Sequence, residues 1–142
     1  MQVQELMAKN PISVETQEPV VAAARLMKQR NIGSIPVCDL EGKLVGMLTD
    51  RDVVLRCVAQ GRDPAQLTVE NIMSTGAVTA RPEEDVSAAL ERMSREQVRR
   101  LPVIREGALV GMLSLADVAR TQKMDMEAAQ ALSGITANVC RR

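Results

Sequence analysis

The sequence predicts a mixed α/β (α+β) fold built from two tandem β-α-β-β-α repeats. The first observation is a duplicated segment, GKLVGMLTDRDV at residues 42–53 and GALVGMLSLADV at residues 107–118. The second is a helical spacing of apolar residues ahead of each copy. The third is a hydrophobic content of 46% in 142 residues, which is enough to fill a core. Two copies are too few for a solenoid, so we expect one doubled fold.

The duplication extends over most of the chain. Equivalent positions are 66 residues apart, and 65 apart after the loop before Gly107. The matched pairs include Val3/Val69, Met27/Met93, Pro36/Pro102, Gly46/Gly111 and Asp52/Asp117. The predicted organisation is a first repeat with its linker at 1–66, a second repeat at 67–122 and a C-terminal helical tail at 123–142. Since one repeat would be marginally stable alone, we expect the two to pack about a pseudo-twofold axis.

Each repeat begins with a short extended segment, at 12–14 and 78–80, followed by a helix. Thr16 and Pro19 mark the helix start in the first copy, and Pro82 with the two acids after it marks the second. Apolar residues at i, i+3, i+4 and i+7 lie on one face of each helix, and we expect that face to pack against the core. The stripes are Val20, Ala23, Ala24 and Met27 in one copy and Val86, Ala89, Leu90 and Met93 in the other.

Two strands and a second helix complete each repeat. The segments SIPVC and GKLVGMLT, and likewise RLPVI and GALVGMLS, are rich in branched residues and predict paired strands. The second helix is predicted from Asp50 to Gln60, where Gly61 ends it, and from Leu115 to Gln122. A closing helix at 125–135 is expected to pack on its own domain or on a partner chain, through Ala128, Ala131, Leu132 and Ile135.

Composition argues against several classes of function. The chain has no His and no aromatic residue, so Ser-His or Cys-His catalysis and most zinc sites are not expected. Lys plus Arg and Asp plus Glu are balanced at 18 each, which gives no electrostatic attraction to nucleic acid. The longest apolar run, VVAAA, is too short to cross a membrane, and the N-terminal residues lack the features of a secretory signal.

The three cysteines are odd in number and widely spaced, which favours a reduced, cytoplasmic protein over a disulfide framework. Cys38 and Cys57 lie in or beside apolar runs and are predicted to be small buried core residues. Cys140 receives no role. An enzyme using Asp50, Asp52 or Cys57 is the weakest hypothesis, because no second base accompanies them.

The duplicated turn has two interpretations. Thr49 with Asp52, and Ser114 with Asp117, have the spacing of a helix cap in which side chains satisfy free backbone N–H groups. The same turn also presents amides, a hydroxyl and a carboxylate, which suit a phosphate or the vicinal hydroxyls of a ribose. Both interpretations remain open at the level of sequence.

A hydrophobic-Pro-Val strand followed by Gly-x-x-[Thr/Ser]-x-x-Asp, present twice, resembles a pair of CBS domains, the arrangement called a Bateman module. The resemblance covers residues 3 to about 120 and is to stand-alone bacterial members. It implies a regulatory module that binds AMP, ADP, ATP or S-adenosylmethionine in two clefts between the repeats. It also implies a homodimer formed through helices, with a target protein that the sequence does not name, and no metal or resident cofactor.

The resemblance implies two unequal clefts. One would combine Ser114 and Asp117 with Arg99, Arg100, Asn10, Pro11, Ile12, Ile32 and Gly33. The other would combine Thr49 and Asp52 with Arg51, Ala77, Val78, Val98 and Arg99. In both, the acid would bind ribose and aliphatic residues would hold the adenine.

The charges of the clefts differ. The second repeat has Arg99 and Arg100 where the first has Gly33 and Ser34, so phosphate is expected to favour the Asp117 cleft. The alternative for this arginine pair is a solvated edge neutralised by Glu96 and Glu106.

The alternative function is a ligand-free interaction or scaffold module that controls a partner protein. Its support is the apolar pair Leu115 and Ala116, which replaces the charged pair Asp50 and Arg51 of the first repeat.

Overall fold

A computed structural model of the protein describes residues 1–121 and 125–137. The chain forms two compact units, a central unit of Ile12–Ala77 and a terminal unit of Met1–Pro11 together with the chain from Val78 onward. Each unit contains one small sheet and its own helices, so the predicted mixed α/β fold is confirmed. Cys140 and Gln122 lie outside the described residues, and the last helix of the second repeat, predicted to reach Gln122, ends at Ala119.

The helices and strands follow the predicted order in part: the segment at 78–80 forms only a single bridge, at Ala80, and the short elements at 3–6, 8–9 and 69–72 were not predicted. In chain order the elements are α1 (Val3–Leu6), β1 (Ala8–Lys9), β2 (Val14–Glu15), α2 (Val20–Arg30), β3 (Ser34–Cys38), β4 (Leu44–Thr49), α3 (Asp50–Val53) continued by a π-helical segment (Val54–Val58), α4 (Val69–Ile72), α5 (Val86–Glu96), β5 (Arg100–Arg105), β6 (Ala108–Ser114), α6 (Leu115–Ala119) and α7 (Asp125–Ile135).

The central unit is built on a hairpin. Strands β3 and β4 pair antiparallel with Ile35 opposite Leu48, and β2 adds a short parallel strand against β3. Most of the predicted stripe of α2 packs in the core of this unit: Val20 and Ala23 are fully buried and Met27 nearly so, whereas Ala24 is only half-buried. The unit therefore has a core of its own, and burial of these aliphatic side chains is its main source of stability.

The terminal unit is also built on a hairpin, β5 with β6, but its third strand, β1, pairs antiparallel with the last hairpin strand, in the order β1-β6-β5. All four residues of the predicted α5 stripe are buried in its core. Asp85 caps α5 by accepting a hydrogen bond of 2.8 Å from the Ser87 N–H, and this bond lowers the pKa of the Asp85 carboxyl.

The compact units differ in composition from the sequence repeats, because the segment that leads each repeat packs on the other repeat. In the central unit, α4 belongs to the start of the second repeat in sequence but hydrogen-bonds to the residues around the start of α2. In the terminal unit, α1 does the same at the start of α5. The equivalent N–H to carbonyl bonds, donor first, are Val69–Glu18, Val20–Leu67, Val3–Glu84 and Val86–Met1, all 2.8–2.9 Å.

Each leading segment approaches the last strand of a hairpin at a glycine. A Cβ atom added to Gly46 would lie 2.7 Å from the carbonyl oxygen of Ser74. One added to Gly111 would lie 3.1 Å from the carbonyl oxygen of Ala8 and would collide with the sulfur of Met7. The duplicated glycine is therefore required by close backbone approach.

The second helix of the central unit differs from the prediction. Only Asp50–Val53 is α-helical, and Val54–Val58 forms a π-helical turn. Cys57 in this turn is fully buried, while the Arg56 guanidinium donates to the carbonyls of Ile72 (3.0 Å) and Met73 (3.3 Å). These two anchors hold the turn against α4, a long-range contact that a local apolar pattern does not encode.

The closing helix α7 forms at the predicted residues and packs on its own unit. Ala128, Ala131 and Ile135 join the terminal core, whereas Leu132 is 44% exposed. Gly134 lies directly against Ser94 of α5, and a larger side chain there would collide with that serine. Of the two alternatives for the tail, contact with its own domain is confirmed.

We expect Gly46→Ala to lower the free energy of unfolding by about 1–3 kcal/mol, because the new methyl group must displace backbone. Urea unfolding measures this loss. Gly33→Ala is the matched control, since its new methyl would meet only the exposed Asp50 carboxylate at 3.1 Å. Equal losses for both variants would contradict the close-approach explanation.

We expect Ile135→Ala to cost about 2–5 kcal/mol, because it empties a site in the terminal core. Leu132→Ala, on the same helix, should change stability by less than about 0.5 kcal/mol. Thermal unfolding at several protein concentrations measures both effects. A small effect at Ile135 would show that α7 does not pack on its own chain.

Candidate functional site

The duplicated turn lies where each hairpin ends and a helix begins. Thr49 ends β4 and is followed directly by α3, and Ser114 ends β6 and is followed directly by α6. The first N–H of each helix donates to the residue that precedes the hairpin, from Asp50 to the Gly33 carbonyl (2.9 Å) and from Leu115 to the Arg99 carbonyl (2.8 Å). Both turns are thereby fixed to the start of their own hairpin.

Asp52 is held by its own unit. Its carboxylate accepts a 3.0 Å bond from the Thr49 N–H, and its own N–H donates to the Thr49 hydroxyl at 3.0 Å, which completes a capping box. The Ser74 hydroxyl lies 3.3 and 3.4 Å from the two carboxylate oxygens, and the Arg56 guanidinium lies 3.9 Å from one of them. Asp52 is only 7% exposed, so the capping interpretation accounts for this carboxylate.

Asp117 has a different environment. Its N–H donates to the Ser114 hydroxyl at 3.1 Å, but among the described residues no backbone N–H donates to its carboxylate. The carboxylate instead contacts Arg120 at 3.2 Å, where the arginine side chain is 77% exposed and the aspartate side chain 27% exposed. Such an exposed ion pair is weak and readily replaced.

The arginine pair lies beside the Asp117 turn. Arg100 starts β5 and is the cross-strand partner of Ser114, and both Arg99 and Arg100 are exposed. The alternative for this pair is neutralisation by Glu96 and Glu106, but Glu96 lies 3.7 Å from Arg95. Within residues 1–121 and 125–137, neither Arg99 nor Arg100 forms an ion pair with a carboxylate. Two cationic side chains therefore remain available at this turn.

The other predicted site residues divide between the units. The terminal unit contains Asn10, Pro11, Val78 and Val98, and the central unit contains Ile12, Ile32, Gly33, Arg51 and Ala77. The four aliphatic residues with branched side chains are half-buried at the edges of their cores. Because β1 runs antiparallel to β6, the chain after Lys9 leads away from Ser114, so the described contacts do not place Asn10 or Pro11 beside that turn.

The cysteines behave as predicted core residues. Cys38 is 6% exposed and Cys57 is fully buried, and both are free thiols. Burial raises the pKa of the Cys38 thiol, which disfavours the reactive thiolate. No group of three or more potential metal ligands occurs among the described residues.

Sequence reasoning missed Ser74 and Arg56, which bind the Asp52 carboxylate. A signal for Ser74 was present, because its equivalent at an offset of 66 is Ala8, which has no hydroxyl. The equivalent of Arg56 is Thr121, a second difference between the repeats. These differences indicate that the two turns have diverged.

The CBS domain family model matches the chain twice, at residues 3–58 and 69–123. The chain belongs to the CBS domain family. It is a CBS domain pair, a type of regulatory module, and the mixed α+β fold is that of tandem CBS pairs. The CBS domain-containing protein YhcV of Bacillus subtilis (strain 168) is 41% identical over 134 residues, with 94% of each chain covered.

Two crystal structures of CBS proteins are similar to this chain. Hypoxic Response Protein I, with two coordinated zinc ions, gives a TM-score of 0.78 at 35% identity and covers 84% of this chain and 98% of its own. The CBS domain pair of protein MJ0100, in complex with 5′-methylthioadenosine and S-adenosyl-L-methionine, gives a TM-score of 0.74 at 29% identity. The match covers 84% of this chain and 94% of that one. Within the described residues of this CBS pair, no helix has the length and apolar character needed to span a bilayer.

We expect Asp52→Ala to destabilise the ligand-free protein by about 1–3 kcal/mol, because the Thr49 N–H loses its buried acceptor. Asp117→Ala should cost less than about 0.5 kcal/mol, because it removes one exposed ion pair. Denaturant unfolding without ligand gives both values. A larger loss at Asp117 would mean that the two carboxylates have the opposite structural roles.

Proposed function

We propose that this CBS pair is a non-catalytic regulatory module that senses an adenosine-containing ligand, with AMP, ADP, ATP and S-adenosylmethionine as the candidates. The observation that carries the proposal is the Asp117 carboxylate, partly exposed at a motif turn beside two arginines that form no ion pair with any carboxylate in the described part of the chain. The adenosine ligands of the related MJ0100 pair support the choice of ligand class. No resident cofactor or metal is part of the proposal.

In the proposed complex, Asp117 accepts hydrogen bonds from the vicinal hydroxyls of a ribose. A carboxylate offers two oxygens and about four acceptor positions, and among the described residues Arg120 is its one side-chain partner. Hydrogen bonds to a charged acceptor contribute about 1.5–3 kcal/mol each. Displacing the exposed Arg120 costs little free energy, so the Asp117 carboxylate is available to a ligand.

The proposed phosphate contacts are Arg99 and Arg100, with the Ser114 hydroxyl beside them. A guanidinium binds phosphate through two parallel hydrogen bonds, so this pair favours AMP, ADP or ATP over a ligand without phosphate. At the other turn, Arg51 is the available cation, but Asp50 lies next to it in sequence. Half-buried aliphatic residues are proposed to contact adenine, Val78 and Val98 in the terminal unit and Ile12 and Ile32 in the central unit, since the chain has no aromatic ring.

Regulation requires that the ligand binds one conformation of the protein better than another. We propose that a homodimer and a target protein respond to this difference. The surface proposed for association is the π-helical turn, where Val54, Leu55 and Val58 are 44–62% exposed. Exposed aliphatic residues grouped on one turn favour contact with another protein surface.

The scaffold alternative loses part of its support in the structure. Leu115, which replaces the charged Asp50 of the first repeat, is 8% exposed and belongs to the terminal core. Its apolar character has a packing reason and does not require loss of a ligand. Calorimetry with AMP, ADP, ATP, NAD and S-adenosylmethionine separates the two functions, because a scaffold would bind none of them.

We expect Asp117→Ala to weaken binding of the best ligand about tenfold or more, the loss of at least one hydrogen bond to a carboxylate. Arg120→Ala is the control, because it removes the competing partner and keeps the carboxylate, so affinity should hold or increase. Saturating ligand at 100 times its Kd should stabilise the wild type by about 2.7 kcal/mol. A flat response to the whole panel would overturn the proposed function.

A further inference from the structure

Ser74 and Ala8 occupy equivalent places in the two units. Ser74 pairs antiparallel with Met47 of β4, and Ala8 pairs antiparallel with Met112 of β6, the residue that matches Met47 in the duplication. Each lies against the duplicated glycine of its strand, as described above. The two units therefore differ at this place by one group: Ser74 has a hydroxyl, and Ala8 has only a methyl group.

The hydroxyl contacts the carboxylate that the motif provides. Ser74 Oγ lies 3.3 Å from one oxygen of Asp52 and 3.4 Å from the other, and Ser74 is held in place by two backbone bonds to Met47 of 2.8 and 2.9 Å. Arg56 adds a cation 3.9 Å from Asp52 while it donates to the carbonyls of Ile72 and Met73. The segment just before Ser74 therefore also positions the second partner of Asp52.

From this asymmetry we propose that Ser74 is a specificity-determining residue. Its hydroxyl occupies the Asp52 carboxylate and competes with a ligand there, so the two turns of one chain bind ligand with unequal affinity. The inference rests on the proposed function, in which Asp117 accepts ribose hydroxyls, and extends that role to Asp52, the equivalent aspartate of the first repeat. A ribose at Asp52 must replace the Ser74 hydroxyl and the guanidinium, so it exchanges one set of hydrogen bonds for another. A ribose at Asp117 has no serine to displace, because Ala8 takes that place.

The test exchanges the two residues. Calorimetry with the best nucleotide of the panel should give one tighter and one weaker site per wild-type chain. Ser74→Ala should tighten the weaker site about fivefold, and Ser74→Thr, which keeps the hydroxyl, should restore the wild-type value. Ala8→Ser should weaken the tighter site by a similar factor. Two equal sites in the wild type, or a Ser74→Ala variant with unchanged affinities, would overturn the inference.

A ligand-free measurement separates this inference from the proposed function. Carbodiimide-coupled amine labelling, read by peptide mass spectrometry, should modify Asp52 several-fold more slowly than Asp117 in the wild type. Ser74→Ala should raise labelling of Asp52 and leave Asp117 unchanged, while Ser74→Thr should not raise it. If no nucleotide binds the wild type, the proposed function fails and the affinity claim with it. If labelling of Asp52 does not respond to Ser74→Ala, the serine does not hold the carboxylate.

Discussion

Close backbone approach at Gly46 and Gly111 is the constraint on which the rest of the structure depends. Each glycine allows a segment that leads one repeat to lie against the hairpin of the other. Neither compact unit is therefore a continuous stretch of one repeat, and each needs residues from both. A side chain at either glycine would separate these backbones, and the helices α1 and α4 would lose their hydrogen-bonded positions.

The same approach determines what surrounds each motif aspartate. The segment that reaches Gly46 brings Ser74 to the Asp52 carboxylate, and the one that reaches Gly111 brings Ala8 to the equivalent place. The two copies of the motif therefore have different electrostatic environments. The Asp52 carboxylate is hydrogen-bonded within its own unit, whereas the Asp117 carboxylate contacts the exposed Arg120. Helix capping and ligand binding are compatible uses of a carboxylate, and its neighbours determine which of them dominates.

The outer surfaces of the units also differ. In the terminal unit, α7 lies on α5 and α6 and buries Ala128, Ala131 and Ile135. In the central unit, the helix that follows the hairpin becomes a π-helical turn with Val54 and Val58 exposed. Because removal of apolar surface from water lowers the free energy, this turn is the better candidate for contact with another protein.

The sequence by itself determined the duplication, the order of the longer helices and strands, most of the two buried stripes, the closing helix and the position of each motif acid. These features depend on local periodicity, on capping spacing and on repetition, all of which are written along the chain. Only the tertiary structure decided that the leading segment of each repeat packs on the other repeat, that Val54–Val58 is π-helical and that the Ser74 hydroxyl contacts the Asp52 carboxylate. Those features depend on contacts between residues far apart in sequence, such as Arg56 with the Ile72 carbonyl, and no local pattern encodes which distant partner a group will meet.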